Sequence, residues 1–245
     1  MMLPMLDWLR GPAREVPTIE LGDVSLPIAI RRMPNARRLT LRLAPDGSEV
    51  RLSMPSWGRT ADALDFVASR RGWLKAQLAA VPPPASLSPG GAIAYRGQSL
   101  VLDHDAASTR RVRLDGASLR CGGPAENLQP RLRRWLEAEA RRLLADDLAD
   151  YCARAGLPVA KLALSGANRR WGSCSAKGAI RINWRLVMAP DEVRRSVVAH
   201  EVAHLVHFDH SPAFHALLRK LFEGDLRAAN RWLKREGRGL YALFG

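Results

Sequence analysis

The chain of 245 residues is 47% hydrophobic and 25% charged, an ordinary balance for a soluble globular protein with a sizeable core. Its three cysteines, Cys121, Cys152 and Cys174, are odd in number and lack a C-x-x-C pair, which argues against a disulfide framework and for a reducing compartment. The net charge of +14 has no single source: residues 1–125 carry 17 basic and 11 acidic groups, and residues 126–245 carry 21 and 13. Such an excess suggests a polyanionic partner, nucleic acid first, beside the plainer reading of a basic solvated surface.

Residues 1–20 read as a proline-punctuated lead-in. Asp7 and Arg10 interrupt its apolar start, so it lacks the run of a signal peptide. No apolar stretch reaches membrane-spanning length, and the expected location is cytoplasmic. A β-rich region occupies 21–125. Its first runs are SLPIAIRR, RRLTLRLA and EVRLSM, with turns at Pro34-Asn35 and Pro45-Asp46-Gly47. Leu39, Leu41 and Leu43 alternate with Arg38, Thr40 and Arg42, giving one apolar and one basic face. A helix is predicted from Thr60 to about Ala80, burying Leu64, Val67, Trp73 and Leu74 and stopping at Pro82-Pro83-Pro84. Strands are predicted near 92–95, 99–102, 110–114 and 118–120. The stretch CGGPAENLQP, 121–130, reads as the joint between halves.

Residues 126–245 form the second region. A long helix is predicted over about 128–155, with Leu132, Trp135, Leu136, Leu143, Leu144, Leu148 and Tyr151 on its apolar side. Strands at 161–165 and 179–183 flank ANRRWGSCSAKG, and helices at about 190–206, 212–223 and 226–236 complete the chain. Gly178–Asn183 is expected to be an edge strand able to pair with an extended peptide. In the first of these helices Asp191 is the predicted N-cap, with Arg194 and Arg195 exposed.

Five of the six histidines lie in the segment 200–215, HEVAHLVHFDHSPAFH. His200 and His204 are spaced i, i+4, which puts both imidazoles on one helix face where they can hold a single metal ion. Glu201, the next residue round the helix, can reach a water activated there without being a ligand. Two histidines compete for the third ligand position. On a continued helix His207 lies about 4.5 Å further along the axis and is poorly placed. His210 requires the chain to leave the helix and turn back. Asp209 tolerates that turn, and Ser211-Pro212 reads as the N-cap and first position of a new helix. The geometry favours His210. His215, in the first turn of that helix, is a candidate substrate contact.

The runs RRWGSCSAKGAIRINWRLVMAP (169–190) and VVAHEVAHLVHFDHSPAFH (197–215) resemble the YgjP-like metallopeptidase family, which carries W-G-S-C-S, G-x-I-x-x-N, H-E-L-x-H-L and N-H-S-P-x-F-W segments. The β-rich first half and its W-x-x-x-Q helix end, Trp73 to Gln77, resemble the family too. More distantly the chain is similar to SprT-like and WLM metalloproteases, some of which act on proteins crosslinked to DNA. The resemblance implies His200, His204 and His210 as Zn2+ ligands and Glu201 as catalytic base. It also marks Trp171, Gly172, Ser173, Cys174 and Asn183 as motif residues near the cleft. Asp209 and His215 depart from the asparagine and tryptophan usual at those positions.

The expected fold is α+β: the β-rich half, then a zincin-like helical core with a small antiparallel sheet. The expected chemistry is hydrolysis of a peptide or protein substrate. Zinc polarises the scissile carbonyl, Glu201 moves the proton, and Asn183, Arg170 or His215 stabilises the oxyanion. Trp171 is a further substrate-side candidate. One rival is a zinc hydrolase of a nucleotide or phosphoanhydride, with arginines as phosphate ligands. Another is a nucleic-acid-binding module with structural zinc, which the retained Glu201 disfavours, since a structural site needs four closed ligands and no base.

Overall fold

The computed structural model describes residues 16–44, 46–81, 87–167 and 170–244. Most of the lead-in, Pro45 of the second turn, the Pro82-Pro83-Pro84 stop and Asn168-Arg169 lie outside the described residues.

Contacts divide the chain into two compact units, with the boundary after Val81. The first unit holds β1 (Thr18–Glu20), β2 (Ser25–Met33), β3 (Thr40–Leu43), β4 (Val50–Pro55), α1 (Thr60–Ser69) and α2 (Arg71–Ala79). Its sheet runs β1-β2-β4-β3, with β2 and β4 parallel and both outer pairs antiparallel. The alternating residues Leu26 and Ile28 of β2 and Val50, Leu52 and Met54 of β4 bury one face against Ala63, Val67 and Leu74. The single helix predicted over 60–80 is two. Arg70, with φ −101° and ψ 12°, steps out of the helix and re-aims the second segment. Leu74 consequently enters the core, while Trp73, predicted buried, is 44% exposed. Arg32, one of the basic β2 residues, acts within this unit. Its guanidinium donates to the Ser56 carbonyl at 3.0 Å and to Thr60 Oγ1 at 2.9 Å.

The second unit opens with β5 (Ala92–Tyr95), β6 (Gln98–Asp105), β7 (Arg113–Asp115) and β8 (Ser118–Gly122), in the order β5-β6-β8-β7. The sequence places the main joint at 121–130, but this sheet shares its core with the helix on the far side of that stretch. Ile93, Leu100, Leu102 and Leu119 pack with Leu128, Leu132 and Leu136 of α3 (Leu128–Arg154), because the sheet's apolar face needs that helix to leave water. The β5–β6 turn is also tied to the 3₁₀ segment Trp184–Met188: the Arg96 and Gly97 N–H groups donate to the Val187 and Met188 carbonyls at 2.8 and 3.1 Å.

After α3 come β9 (Leu162–Ser165), β10 (Gly172–Cys174), β11 (Ile180–Asn183), α4 (Asp191–Ala203), α5 (Pro212–Leu221) and α6 (Leu226–Glu236). The fold is thus α+β as expected, but the small sheet is mixed. Its order is β10-β11-β9, with β11 antiparallel to β10 and parallel to β9. The strand 180–183 is therefore central, fully paired on both sides, and cannot be the expected edge. The outer positions belong to β9 and β10, and residues 172–174 of β10 are too short to register as a strand by periodicity alone.

Candidate metal centre and its surroundings

Helix α4 sits on α3 through charge. Arg194, predicted exposed, is 2% exposed, and its Nε donates to Asp147 Oδ2 at 2.7 Å. It also pairs with Asp191, which holds Arg96 as well. Arg195 reaches Asp147, Asp150 and Glu223 at 3.0, 2.7 and 2.7 Å. Asp191 is not the N-cap: Pro190 holds that position without a side-chain cap, and Asp191 lies in the first turn. At this end of the helix the charges answer one another.

At the other end, three imidazoles converge. His200 Nε2 lies 3.1 Å from His204 Nε2 and 3.3 Å from His210 Nε2. Nitrogen ligands at ~2.0–2.1 Å around a tetrahedral ion are separated by about 3.3–3.4 Å, so this spacing fits one zinc-sized ion. The donor atoms of these three residues form the one such group among the described residues. His204 Nδ1 is 3.0 Å from the His207 carbonyl. An Nδ1–H donating there leaves the Nε2 lone pair free for a metal. His207 thus contributes its backbone, while His210 supplies the third ring. Burial, reinforced by the neighbouring imidazoles, pushes His200 down to about 4, keeping it in the neutral form a ligand needs.

The turn that returns His210 is built as its residues predict. Asp209 Oδ1 accepts the Ser211 N–H at 3.3 Å, Ser211 Oγ accepts the Phe214 N–H at 3.4 Å, and Pro212 opens α5. Phe214 is fully buried beneath all three imidazoles, with ring centroids 5.0 Å from His200, 4.5 Å from His204 and 4.9 Å from His210. Ligand spacing alone does not reveal this aromatic floor, although Phe214 stands in the S-P-x-F run that carries the family resemblance.

Glu201 is 5% exposed, and burial pushes its carboxyl up to about 7 against a lowering by Arg170. Its neighbour is the β10 backbone. A Cβ on Gly172 would stand 2.3 Å from Glu201 Oε1 and 2.7 Å from its Cδ, so only glycine leaves room for the carboxylate. The family resemblance marks Gly172 as a motif residue and no more. Its constraint is tertiary and has no signature in the local pattern.

The remaining site residues separate. Arg170 is exposed and within electrostatic reach of Glu201. His215 is exposed, with its ring 6.3 Å from that of His210. Trp171 is half-buried, packed 5.6 Å from Tyr241 and touching Gly237, where a Cβ would meet it at 2.9 Å. Asn183 does not face the site. It is fully buried; Nδ2 donates to the Ala167 carbonyl and Tyr241 Oη at 2.8 and 3.1 Å, and Oδ1 accepts the Arg185 N–H at 3.1 Å. With its amide spent on the loop before β10, it has nothing to offer an oxyanion. Burial and the Glu201 charge raise the Cys174 thiol, away from a nucleophilic thiolate.

Three convergent imidazoles beside a buried carboxylate are compatible with the donor set of a metal-dependent hydrolase. The chain belongs to the YgjP-like family: the family's metallopeptidase-domain model matches residues 37–236. No curated protein sequence and no solved structure matches the chain. No helix among the described residues is long and apolar enough to cross a membrane.

Proposed function

We propose that this protein is a zinc-dependent peptidase in which His200, His204 and His210 hold the ion and Glu201 is the general base. The carrying observation is the Nε2 spacing of 3.1 and 3.3 Å beside the buried Glu201 carboxylate. Zinc supplied to such a site lowers the pKa of a bound water toward ~7 and polarises a carbonyl. The chain does the rest. Glu201 takes the proton of the attacking water and delivers it to the leaving amine; a carboxyl held near neutrality can do both. Arg170 and His215 are the donors available to the developing oxyanion. The outer edge of β10, with no strand partner among the described residues, offers main-chain hydrogen bonds to an extended peptide.

Peptide hydrolysis is preferred over phosphoanhydride hydrolysis because the matching family model is a metallopeptidase domain, and the two arginines of α4, Arg194 and Arg195, are committed to carboxylates. A structural-zinc module is disfavoured because, among the described residues, three ligand residues group here, not four. The test is hydrolysis of an unfolded protein by the zinc-loaded chain beside Glu201→Gln, with and without single-stranded DNA. Cleavage by the native protein that the variant lacks supports the reading. Stimulation by DNA would give the net charge of +14 a role. Equal activity in both proteins would reject Glu201 as the base.

A further inference from the structure

The face of α4 that carries His200 continues past the imidazoles. Beside His200 and His215, helices α4, α5 and α6 surround a cavity of about 610 Å³, a volume within the range of ligand sites. Its lining divides by chemistry. Val197, Leu218, Phe222 and Leu226 form an apolar floor, and Arg219 and Arg227 stand among the polar residues of the wall. Arg219 is exposed and makes no ion pair with a carboxylate among the described residues. The one acidic lining residue, Asp225, is occupied. Its Oδ1 accepts the Arg227 and Ala228 N–H groups at 2.7 and 3.1 Å, and its Oδ2 lies 3.8 Å from Arg231.

Two features connect this cavity to the chemistry. His200 is both a lining residue and one of the three convergent imidazoles, so the cavity adjoins the place where a scissile bond would lie. Its floor offers no hydrogen bond, so the occupant that gains most there is a hydrocarbon or aromatic side chain. Resting on the peptidase reading, we propose that the cavity is a substrate subsite for a large apolar side chain beside the scissile bond, with Arg219 selecting a carboxylate next to it. The substrate class is then a peptide with leucine, methionine or phenylalanine flanked by an acidic residue or by the chain's own C-terminal carboxylate.

The experiment is cleavage profiling of the zinc-loaded full chain on a peptide library, with cut sites mapped by mass spectrometry. At one fixed position beside the cut, leucine should exceed alanine by at least about tenfold in kcat/KM, since a single methylene in such a pocket can be worth roughly that factor and leucine carries three more carbons than alanine. Leu226→Trp, which puts an indole into the cavity, should collapse that leucine-to-alanine ratio. Arg219→Glu alters an exposed position where folding is not at stake, and should turn the preference for a neighbouring acid into one for a base. Peptides with a free or an amidated C-terminus separate the two sources of carboxylate. Calorimetry on Glu201→Gln gives a readout independent of turnover: a leucine-bearing peptide should bind at least about tenfold more tightly than its alanine counterpart. Cleavage without side-chain preference at any position, or preferences unmoved by both variants, would overturn the subsite while leaving the peptidase standing. No cleavage of any peptide would overturn the peptidase reading and the subsite with it, whereas phosphate ester or anhydride turnover would assign the arginines to phosphate.

Discussion

The two ends of α4 both carry charged and polar side chains and use them in opposite ways. In its N-terminal half, Arg194 and Arg195 meet Asp147, Asp150, Asp191 and Glu223, and each cation faces anions. In its last turn and just beyond, His200, His204 and His210 point donor nitrogens at one another with no anion between them. A compensated network explains itself through the helix pair it joins. Convergent lone pairs that repel unless something positive lies between them point to a ligand. Substitutions at the two ends should therefore separate stability from chemistry.

The largest separation is expected at Glu201. Glu201→Gln should lower peptide hydrolysis by about 10²–10⁴-fold, the usual range for a general base. Zinc content by atomic absorption should stay at one ion per chain; loss of zinc would mean that Glu201 is a ligand instead. At the opposite end, Asp147→Ala leaves Arg194 buried without its main partner. It should cost about 3–5 kcal/mol of stability, read by urea denaturation, with zinc stoichiometry at one. An unchanged midpoint would mean that the network does not hold α4 to α3.

Gly172→Ala tests the boundary between the two roles. A methyl group 2.3 Å from Glu201 Oε1 must displace the carboxylate, and a misplacement of about 1 Å costs on the order of 10²-fold in rate. Hydrolysis should fall by about that factor while zinc stays bound, and wild-type kinetics would show that Glu201 can be moved without consequence. Removing the metal should act on stability through mass action. A chelator should lower the melting temperature of the wild-type protein, and His210→Ala should abolish that shift.

The smallest effect is in pH. Burial alone would raise the Asp150 and Asp191 carboxyls, but hydrogen bonds and charge from Arg195 and Arg154, and from Arg96 and Arg194, outweigh it and hold both below the ordinary range. Glu223 is lowered in the same manner by its own backbone, Tyr151 and Arg195 against burial. A carboxyl depressed in the folded state stabilises fully above its unfolded pKa of ~4, and that contribution is lost as pH falls through the folded value. The contribution of this network should therefore hold level above about pH 5 and decline below it. In Asp150→Asn the decline should be shallower, and an identical acid limb in variant and wild type would count against the network's titration.

Local rules account for the features legible in the chain itself. Helical periodicity locates α3 and α4, the i, i+4 spacing pairs His200 with His204, and Asp209-Ser211-Pro212 turns the chain so that His210 can return. Each depends only on residues a few positions apart. Other features depend on partners distant in sequence. The 161–165 and 179–183 strands are legible, but their order is not, because pairing partners are chosen in three dimensions; β11 therefore takes the centre and β10 the edge. Asn183 has the residue type of a polar cleft group, yet its amide is spent on Ala167, Tyr241 and Arg185. Arg194 has the pattern of a solvated cation, yet Asp147, 47 positions earlier, neutralises it. The sequence by itself determined the donor atoms and the helix that spaces them, since these are matters of residue type and backbone repeat. Only the tertiary structure decided which residues surround them: Gly172 against Glu201, Phe214 under the rings, and the cavity beside His200. Those are consequences of packing, where volume and burial are shared among elements that no local window spans.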